Sequence, residues 1–430
     1  MNPFSSPRQA ALKFLAATLS GKASFEEAFA KDGEIERFES RDRAFVRNLV
    51  ATTLRRLGEI DALIDHVLEK PLPAKAATVR HLLRIGIAQL CFLNTPPHAA
   101  VHSSVELLDG TVLAAYKGLA NAVLRRLAAE GKTLLGSFDT ERLNTPDWLW
   151  QSWTRAYGEA TCRKIAAAHL REAPLDLTFR KGKEGLAEKL GATRLPWGSF
   201  RLPGSGRVDE LPGYGEGAWW VQDAAAALPA MFLGDVGGTC VLDLCAAPGG
   251  KTAQLADRGG RVRAIDRSHA RLLRLRQNLS RLRLEAEVVE ADATQWRPET
   301  PVPFVLLDAP CSATGTIRRH PDILWQKTPA DLRKLTALQD ALLNAAVAMT
   351  APGGVLVYSV CSLEPEEGKE RIEALLAKGA PLERFPIAPA EVGGVEALLT
   401  RQGELRTLPL HLESLGGLDG FFAARLRKLC

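Results

Sequence analysis

From residue 240 onward, short β-branched or apolar runs alternate with helical stretches, and no other feature constrains the fold of this 430-residue chain as strongly. The strand-like runs are Cys240–Leu244, Val262–Ile265, Glu287–Glu290, Phe304–Asp308, Val355–Val360 and Phe421–Leu426. Helices between successive strands act as crossovers. That predicts an α/β Rossmann-like domain whose mostly parallel sheet carries helices on both faces. Such a sheet binds ligands just outside the carboxyl ends of its strands, so the residues that follow these runs are where chemistry belongs.

Upstream the period changes. To about residue 131 apolar residues recur at helical spacing, as in Leu57, Ile60, Ile64, Val67 and again Leu83, Ile87, Leu90. This predicts an all-α domain over residues 1–135, with breaks at Pro71-Leu72-Pro73 and Thr95-Pro96-Pro97. From Asn144 to about Gly217, Gly, Pro and Trp become frequent around one clear helix near Gln151–Leu170. A small α+β middle domain is expected at 144–218, leaving 219–430 for the α/β domain. The chain is long enough for such a multidomain reading at roughly 100–200 residues per domain.

Composition excludes more than it selects. Apolar residues make up 46% and charged residues 24% of the chain, ordinary globular values, and the net charge of +5 permits a polyanionic partner without requiring one. The seven cysteines are scattered and never spaced C-x-x-C, so neither a disulfide framework nor a zinc site is expected. Reduced thiols in the cytoplasm are the natural reading. No secretory signal and no run of about 18 apolar residues is apparent. The expectation is a metal-free, monomeric protein away from membranes.

The segment Val241-Leu242-Asp243-Leu244-Cys245-Ala246-Ala247-Pro248-Gly249-Gly250-Lys251-Thr252 reads as a buried strand, a turn of small residues and the start of a helix. Small residues let a ligand approach the backbone, and a helix start offers free N–H groups. The run nearly matches G-x-x-x-x-G-K-[ST]. However, Cys245 replaces the first glycine and Pro248 interrupts the phosphate cradle, so the nucleotide-triphosphatase reading fails. Asp266, ending the next strand, can bond ribose hydroxyls, and Asp292, after the third, can accept from an adenine amino group. One strand-end Asp is as readily a helix cap; a series after successive strands points to a nucleoside cofactor.

Two later runs each deliver a thiol past a strand: Asp308-Ala309-Pro310-Cys311-Ser312 and Tyr358-Ser359-Val360-Cys361-Ser362. A single cysteine is more often structural than reactive. Two at equivalent strand ends suit a demanding methyl transfer. C5 of cytosine is a poor nucleophile until a thiolate adds to C6, and covalent addition splits one hard step into easier ones. Spacing alone does not say which cysteine attacks.

On these residues the chain resembles the Sun/Fmu (RsmB) family of 16S ribosomal RNA cytosine-C5 methyltransferases over nearly its whole length. The likeness extends to Gln222-Asp223, to Gly315-Thr316-Ile317-Arg318-Arg319-His320-Pro321-Asp322 and to Asp419-Gly420-Phe421-Phe422. The N-terminal part is similar to the RNA-binding domain of NusB through Arg41-Asp42-Arg43 and Asn121-Ala122-Val123-Leu124-Arg125-Arg126. The middle segment corresponds to an RRM-like subdomain by position.

The resemblance implies S-adenosyl-L-methionine as cofactor and small-subunit ribosomal RNA as partner. It makes Cys361 the nucleophile at C6, with Cys311 assisting loss of the C5 proton and release. It implies that Cys245, Ala246, Ala247, Pro248, Gly249, Gly250, Lys251, Asp266, Arg271, Asp292 and Asp308 surround the cofactor, Asp308 also facing the target base. The alternatives are cytosine methylation of another nucleic acid such as transfer RNA, or an inactive RNA-binding assembly factor. The chain departs from the family at Val360, where Thr is usual; at Gly368, where Asn is usual; at Leu324, where Lys or Arg is frequent; and in Leu177–Lys181, which lacks a common Asn.

Phosphate contacts supply most of the affinity for RNA. Arg271, Arg274, Arg276, Arg281 and Arg283 form one basic set, read mainly as a solvated face, and the loop Arg318-Arg319-His320 is expected to meet RNA. Trp219, Trp220 and Trp325 suit either base stacking or core packing.

Overall fold

In the computed structural model, which describes residues 6–204 and 207–429, Ser6 caps the first helix, Pro7–Leu19. Its hydroxyl accepts from the Gln9 amide, and proline occupies the first turn, where its missing N–H costs nothing. Helices Ser40–Arg55, Leu57–Val67, Ala77–Cys91, Pro97–Val105 and Lys117–Leu135 follow. Their apolar stripes meet in one core, with Ile60, Ile64, Leu83 and Ile87 fully buried as their spacing predicts.

The chain divides into two compact units, one made of the residues up to Arg171 with Ile317–Lys327, the other of Glu172–Thr316 with Thr328–Cys430. The helix expected near 151–170 is two, Asp147–Tyr157 and Glu159–His169, broken at Gly158, where φ is +81°. Both lie in the first unit, which extends past the expected boundary at residue 144.

The short segment Ile317–Lys327 is held in the first unit largely through backbone groups. Trp325 donates its indole N–H to the Leu54 carbonyl (2.8 Å), Gln326 donates to the carbonyls of Thr18 and Ala23, and Asp322 accepts from the Phe25 amide. Arg55 donates to the Arg318 carbonyl. Arg318 itself is buried, which corrects the expectation that it faces RNA; Trp325 is part of the core packing.

The second unit holds two sheets. Strands β1 (Leu175–Phe179), β2 (Thr193–Arg194), β3 (Phe200–Leu202) and β4 (Trp219–Val221) form an antiparallel sheet in the order β2-β3-β1-β4. Trp219 and Trp220 are buried there, so packing rather than base stacking explains both. A buried bidentate pair, Arg201 to Asp176 at 2.7 Å, ties this sheet to the carbonyls of Leu415 and Gly417 and to the Ala224 amide.

The larger sheet comprises β5 (Cys240–Leu244), β6 (Arg261–Asp266), β7 (Glu287–Glu290), β8 (Val302–Asp308), β9 (Thr350–Val360), β10 (Leu382–Arg384), β11 (Leu405–Arg406) and β12 (Phe422–Lys428). Its order is β10-β12-β9-β8-β5-β6-β7, parallel from β9 to β7 and antiparallel where β12 joins, with β11 on β12. The short strands β10 and β11 escape sequence reading because two or three residues carry no period. From β5 the chain runs outward through β6 and β7, then returns to place β8 on the other side of β5. That reversal opens a crevice at the carboxyl ends of β5 and β8. No helix among the described residues is long and apolar enough to cross a membrane.

The hold on Ile317–Lys327 predicts that Trp325→Ala destabilises the protein by about 3 kcal/mol and Trp325→Phe, which keeps an aromatic ring but loses the N–H bond, by about 1 kcal/mol. Urea unfolding measures both; an unchanged midpoint in Trp325→Phe would mean that the hydrogen bond contributes nothing.

Candidate active site

Three loops leave the carboxyl ends of β5, β8 and β9. In the first, Cys245 takes left-handed backbone (φ +62°), and Ala246 donates its amide to the Ile265 carbonyl, so the chain turns sharply across β6. The Ala247 amide donates to Asp266 Oδ2 (3.2 Å), while Asn278 and Arg271 donate to the carbonyls of Pro248 and Ala247. Arg271 also lies 3.4 Å from Asp266. The loop that the sequence assigns to the cofactor is therefore braced from β6 and from the helix His269–Leu282.

Asp243 sits beneath this loop, fully buried, and accepts from the Thr252 hydroxyl at 2.6 Å. Burial pushes its carboxyl up to about 7 against the opposing effect of Thr252, with Asp308 and Asp266 adding to the rise. Its second oxygen, Oδ1, has no hydrogen-bond partner in the protein. A cavity beside the loop is walled by Ile265, Ala293, Leu338 and Leu342 and edged by Asp266, Arg271 and Asp292. Apolar walls with carboxylates at the rim fit an adenosine-bearing cofactor, and the orphaned oxygen of Asp243 beneath the neighbouring loop leaves one acceptor unused. Asp292 is less committed to a ligand than its position suggested: it is exposed, and its Oδ1 accepts from both the amide and the hydroxyl of Thr294, which hold the carboxyl below its usual range.

Lys251 projects from the first turn of the helix Gly250–Asp257 into the crevice and donates to Asp308 Oδ2 at 2.7 Å; Ser359 donates to Asp308 Oδ1 at 2.9 Å. Burial depresses the Lys251 ammonium, yet Asp308 outweighs it, with Cys361 adding, and the net shift is upward. The cation stays charged, 5.3 Å from the centre of the Phe421 ring.

Beside this pair the two thiols meet, with Cys311 Sγ 3.4 Å from Cys361 Sγ. The hydrogen bond with Cys361 raises Cys311 well above the usual thiol range, and burial, the Cys361 charge and Glu367 add to it. Cys311 therefore holds its proton. Cys245, pushed up to about 12 by burial and three nearby carboxylates, is a proton-bearing packing residue.

The loops are pressed tightly together. Gly315 donates its amide to the Cys361 carbonyl and accepts from the Gly420 amide, and a Cβ at 315 would lie 1.8 Å from the Gly420 oxygen. The motif glycines at both positions are therefore steric requirements. Gly368 has a similar cause: a Cβ there would stand 2.8 Å from Cγ of the fully buried Phe422, over which Arg406 stacks while donating to the Ser362 carbonyl. In this chain Arg406 fills the space that a side chain at 368 would need. Ser359, Phe421, Gln339 and Glu367 were given no role from sequence, because their contacts cross elements that no local period connects.

A Rossmann-like sheet bearing a small-residue loop, strand-end carboxylates and converging thiols defines the methyltransferase class. Family models agree: residues 230–427 match the 16S rRNA methyltransferase RsmB/F model and residues 5–129 the NusB family model. The chain is 38% identical to the ribosomal RNA small subunit methyltransferase B of Pseudomonas putida over 98% of each chain, and 37% identical to that of Salmonella typhi over 90% of this chain and 91% of that one. This chain belongs to the RsmB/F family of 16S rRNA methyltransferases. Among solved structures, a methyltransferase homologue from Pyrococcus horikoshii aligns over 66% of this chain and all of its own, at TM-score 0.53 and 28% identity. PH0851 shares the fold over 99% of this chain and 100% of its own, at TM-score 0.76 and 22% identity.

Two outcomes follow. Restoring the family's usual residue, Gly368→Asn, is expected to cost about 1–3 kcal/mol by overpacking against Phe422, read as a lowered urea midpoint. Asp243 holds its proton to about pH 7 when folded, whereas an ordinary carboxyl loses it near 3.8. The folded state binds the extra proton between these values, so stability falls as pH rises through that window. Asp243→Asn has no such proton and should flatten the slope in unfolding curves taken at its two ends; an unchanged slope would mean that Asp243 is already ionised.

Proposed function

We propose that this protein transfers a methyl group from S-adenosylmethionine to C5 of a cytosine in small-subunit ribosomal RNA, with Cys361 as covalent nucleophile. The observation that carries the reading is the 3.4 Å approach of Cys311 to Cys361 beside the buried Lys251–Asp308 pair. A family of RNA methyltransferases supplies the substrate class.

S-adenosylmethionine, when bound, supplies an electrophilic sulfonium methyl. Residues 245–250, with Asp243 beneath them, would hold its methionine end, Asp266 its ribose, and Asp292 and Arg271 the rim of the adenine cavity. The target base has to be unpaired or flipped out, at a cost of a few kcal/mol. Asp308, oriented by Lys251 and Ser359, lies at the mouth of the crevice where that base enters.

Cys361 adds its sulfur to C6, and the C5=C6 π electrons move to C5, which takes the methyl. Lys251 provides the positive field that favours the attacking thiolate. Cys311 meanwhile keeps its proton, held chiefly by its hydrogen bond to Cys361. Once the Cys361 electron pair is engaged in the bond to C6 that hold is released. Cys311 gives its proton to water, takes the C5 proton, and the S–C6 bond breaks to restore the double bond.

Incubation with labelled S-adenosylmethionine and deproteinised small-subunit RNA is expected to place label in 5-methylcytidine after digestion. Cys361→Ala should abolish turnover and form no adduct, whereas Cys311→Ala should accumulate a denaturant-resistant protein–RNA complex. Trapping by Cys361→Ala instead would reverse the two roles, and label in another nucleoside would overturn the reaction.

A further inference from the structure

Behind the thiols, four segments close on one buried carboxylate. Glu367, in the short turn Pro365–Glu367, accepts at Oε1 from the Ser312 amide (2.8 Å) and from Gln339 Nε2 (3.0 Å), and at Oε2 from the Ser312 hydroxyl (2.5 Å). Gln339 also donates to the Pro310 carbonyl at 2.8 Å. Both residues flanking Cys311 are thus bound to the carboxylate, Ser312 directly and Pro310 through Gln339.

The same group reaches the Cys361 side. Tyr358 donates its hydroxyl to the Glu367 carbonyl at 2.6 Å, three positions before Cys361, and Ser362, the next residue after it, lies 3.2 Å from the Ser312 hydroxyl. Glu367, Gln339, Tyr358, Ser362 and Thr314 are fully inaccessible, and Ser312 is 1% exposed. Burying a carboxylate costs several kcal/mol, and apolar packing would hold two loops together at less expense. Hydrogen bonds fix direction as well as contact, which the spacing of two sulfur atoms requires.

We propose that Glu367 is a positioning residue for the reaction, setting the distance and angle of Cys311 to Cys361 so that the proton-removal step can follow methyl transfer. It touches neither thiol and acts through Ser312, Gln339 and Tyr358. The inference rests on the role given to Cys311 above.

The test uses the full chain carrying Glu367→Gln, which keeps the volume and removes one acceptor oxygen from Ser312, alongside Cys311→Ala. S-adenosylhomocysteine affinity and single-turnover methylation are expected to stay near wild type. Multiple turnover should fall by about ten- to a hundredfold, as an ångström-scale misplacement does, and a denaturant-resistant RNA adduct should accumulate. A second reading needs no RNA: diamide oxidises the two thiols to a disulfide and is itself reduced to the hydrazine. The rate of the accompanying mass loss should drop at least several-fold in Glu367→Gln.

Adduct formation by Cys311→Ala, with Glu367→Gln losing single and multiple turnover alike or neither, would overturn the positioning role alone. Absence of an adduct with Cys311→Ala would overturn the reading of Cys311 and with it this step, while the diamide rate would still decide whether Glu367 sets the thiol spacing. Should Glu367→Gln not fold, Ser312→Ala removes one donor to the same carboxylate and is expected to show the adduct and the slowed diamide reaction in milder form.

Discussion

Strand β8 pairs in parallel with β9 so that Asp308 falls opposite Ser359, and the chemistry of the crevice depends on that register. The Ala309 amide continues the ladder to the Ser359 carbonyl, after which each chain leaves the sheet within two or three residues of its cysteine. A slip of β8 by one residue would turn Asp308 away from Lys251 and move every β8 side chain to the opposite face. The fully buried Val305, Leu307, Leu356, Tyr358 and Val360 make such a slip costly. Hydrophobic patterning on two strands thereby sets the spacing of two sulfur atoms that lie outside the sheet.

Electrostatics in the crevice are lopsided: the Lys251 ammonium answers Asp308 and the Arg271 guanidinium lies beside Asp266, while Asp243 has no cation of its own among the described residues. Low dielectric punishes uncompensated charge, so Asp243 moves toward its neutral form while Asp308 takes the ion pair. A cationic ligand would relieve this crowding, in keeping with the orphaned oxygen of Asp243 and with a sulfonium cofactor carrying an amino group. Among the thiols around the crevice, two hold their protons for different reasons. Cys245 is raised mainly by burial and Cys311 mainly by its partner.

The strand-end positions of Asp243, Asp266, Asp308, Cys311 and Cys361 were legible because parallel α/β sheets place ligands where apolar runs end. The RNA-facing reading of Arg318 failed because its neighbours in sequence say nothing of its burial in the fold. Trp325 illustrates the same point: its indole N–H has a backbone partner 271 residues away. The departure at Gly368, unexplained by sequence, becomes intelligible beside Phe422 and Arg406, which come from other strands.

The sequence by itself determined the order of elements, the α/β class of the second half, the small-residue loop and the two thiols, since each follows from local period or from residue type. Tertiary structure alone decided that the thiols lie within contact of one another, that Lys251 answers Asp308, and that Glu367 braces both cysteine loops. Those pairings join residues about fifty positions apart in the chain, and they exist only where strand register and crossover direction bring distant loops to one edge of the sheet.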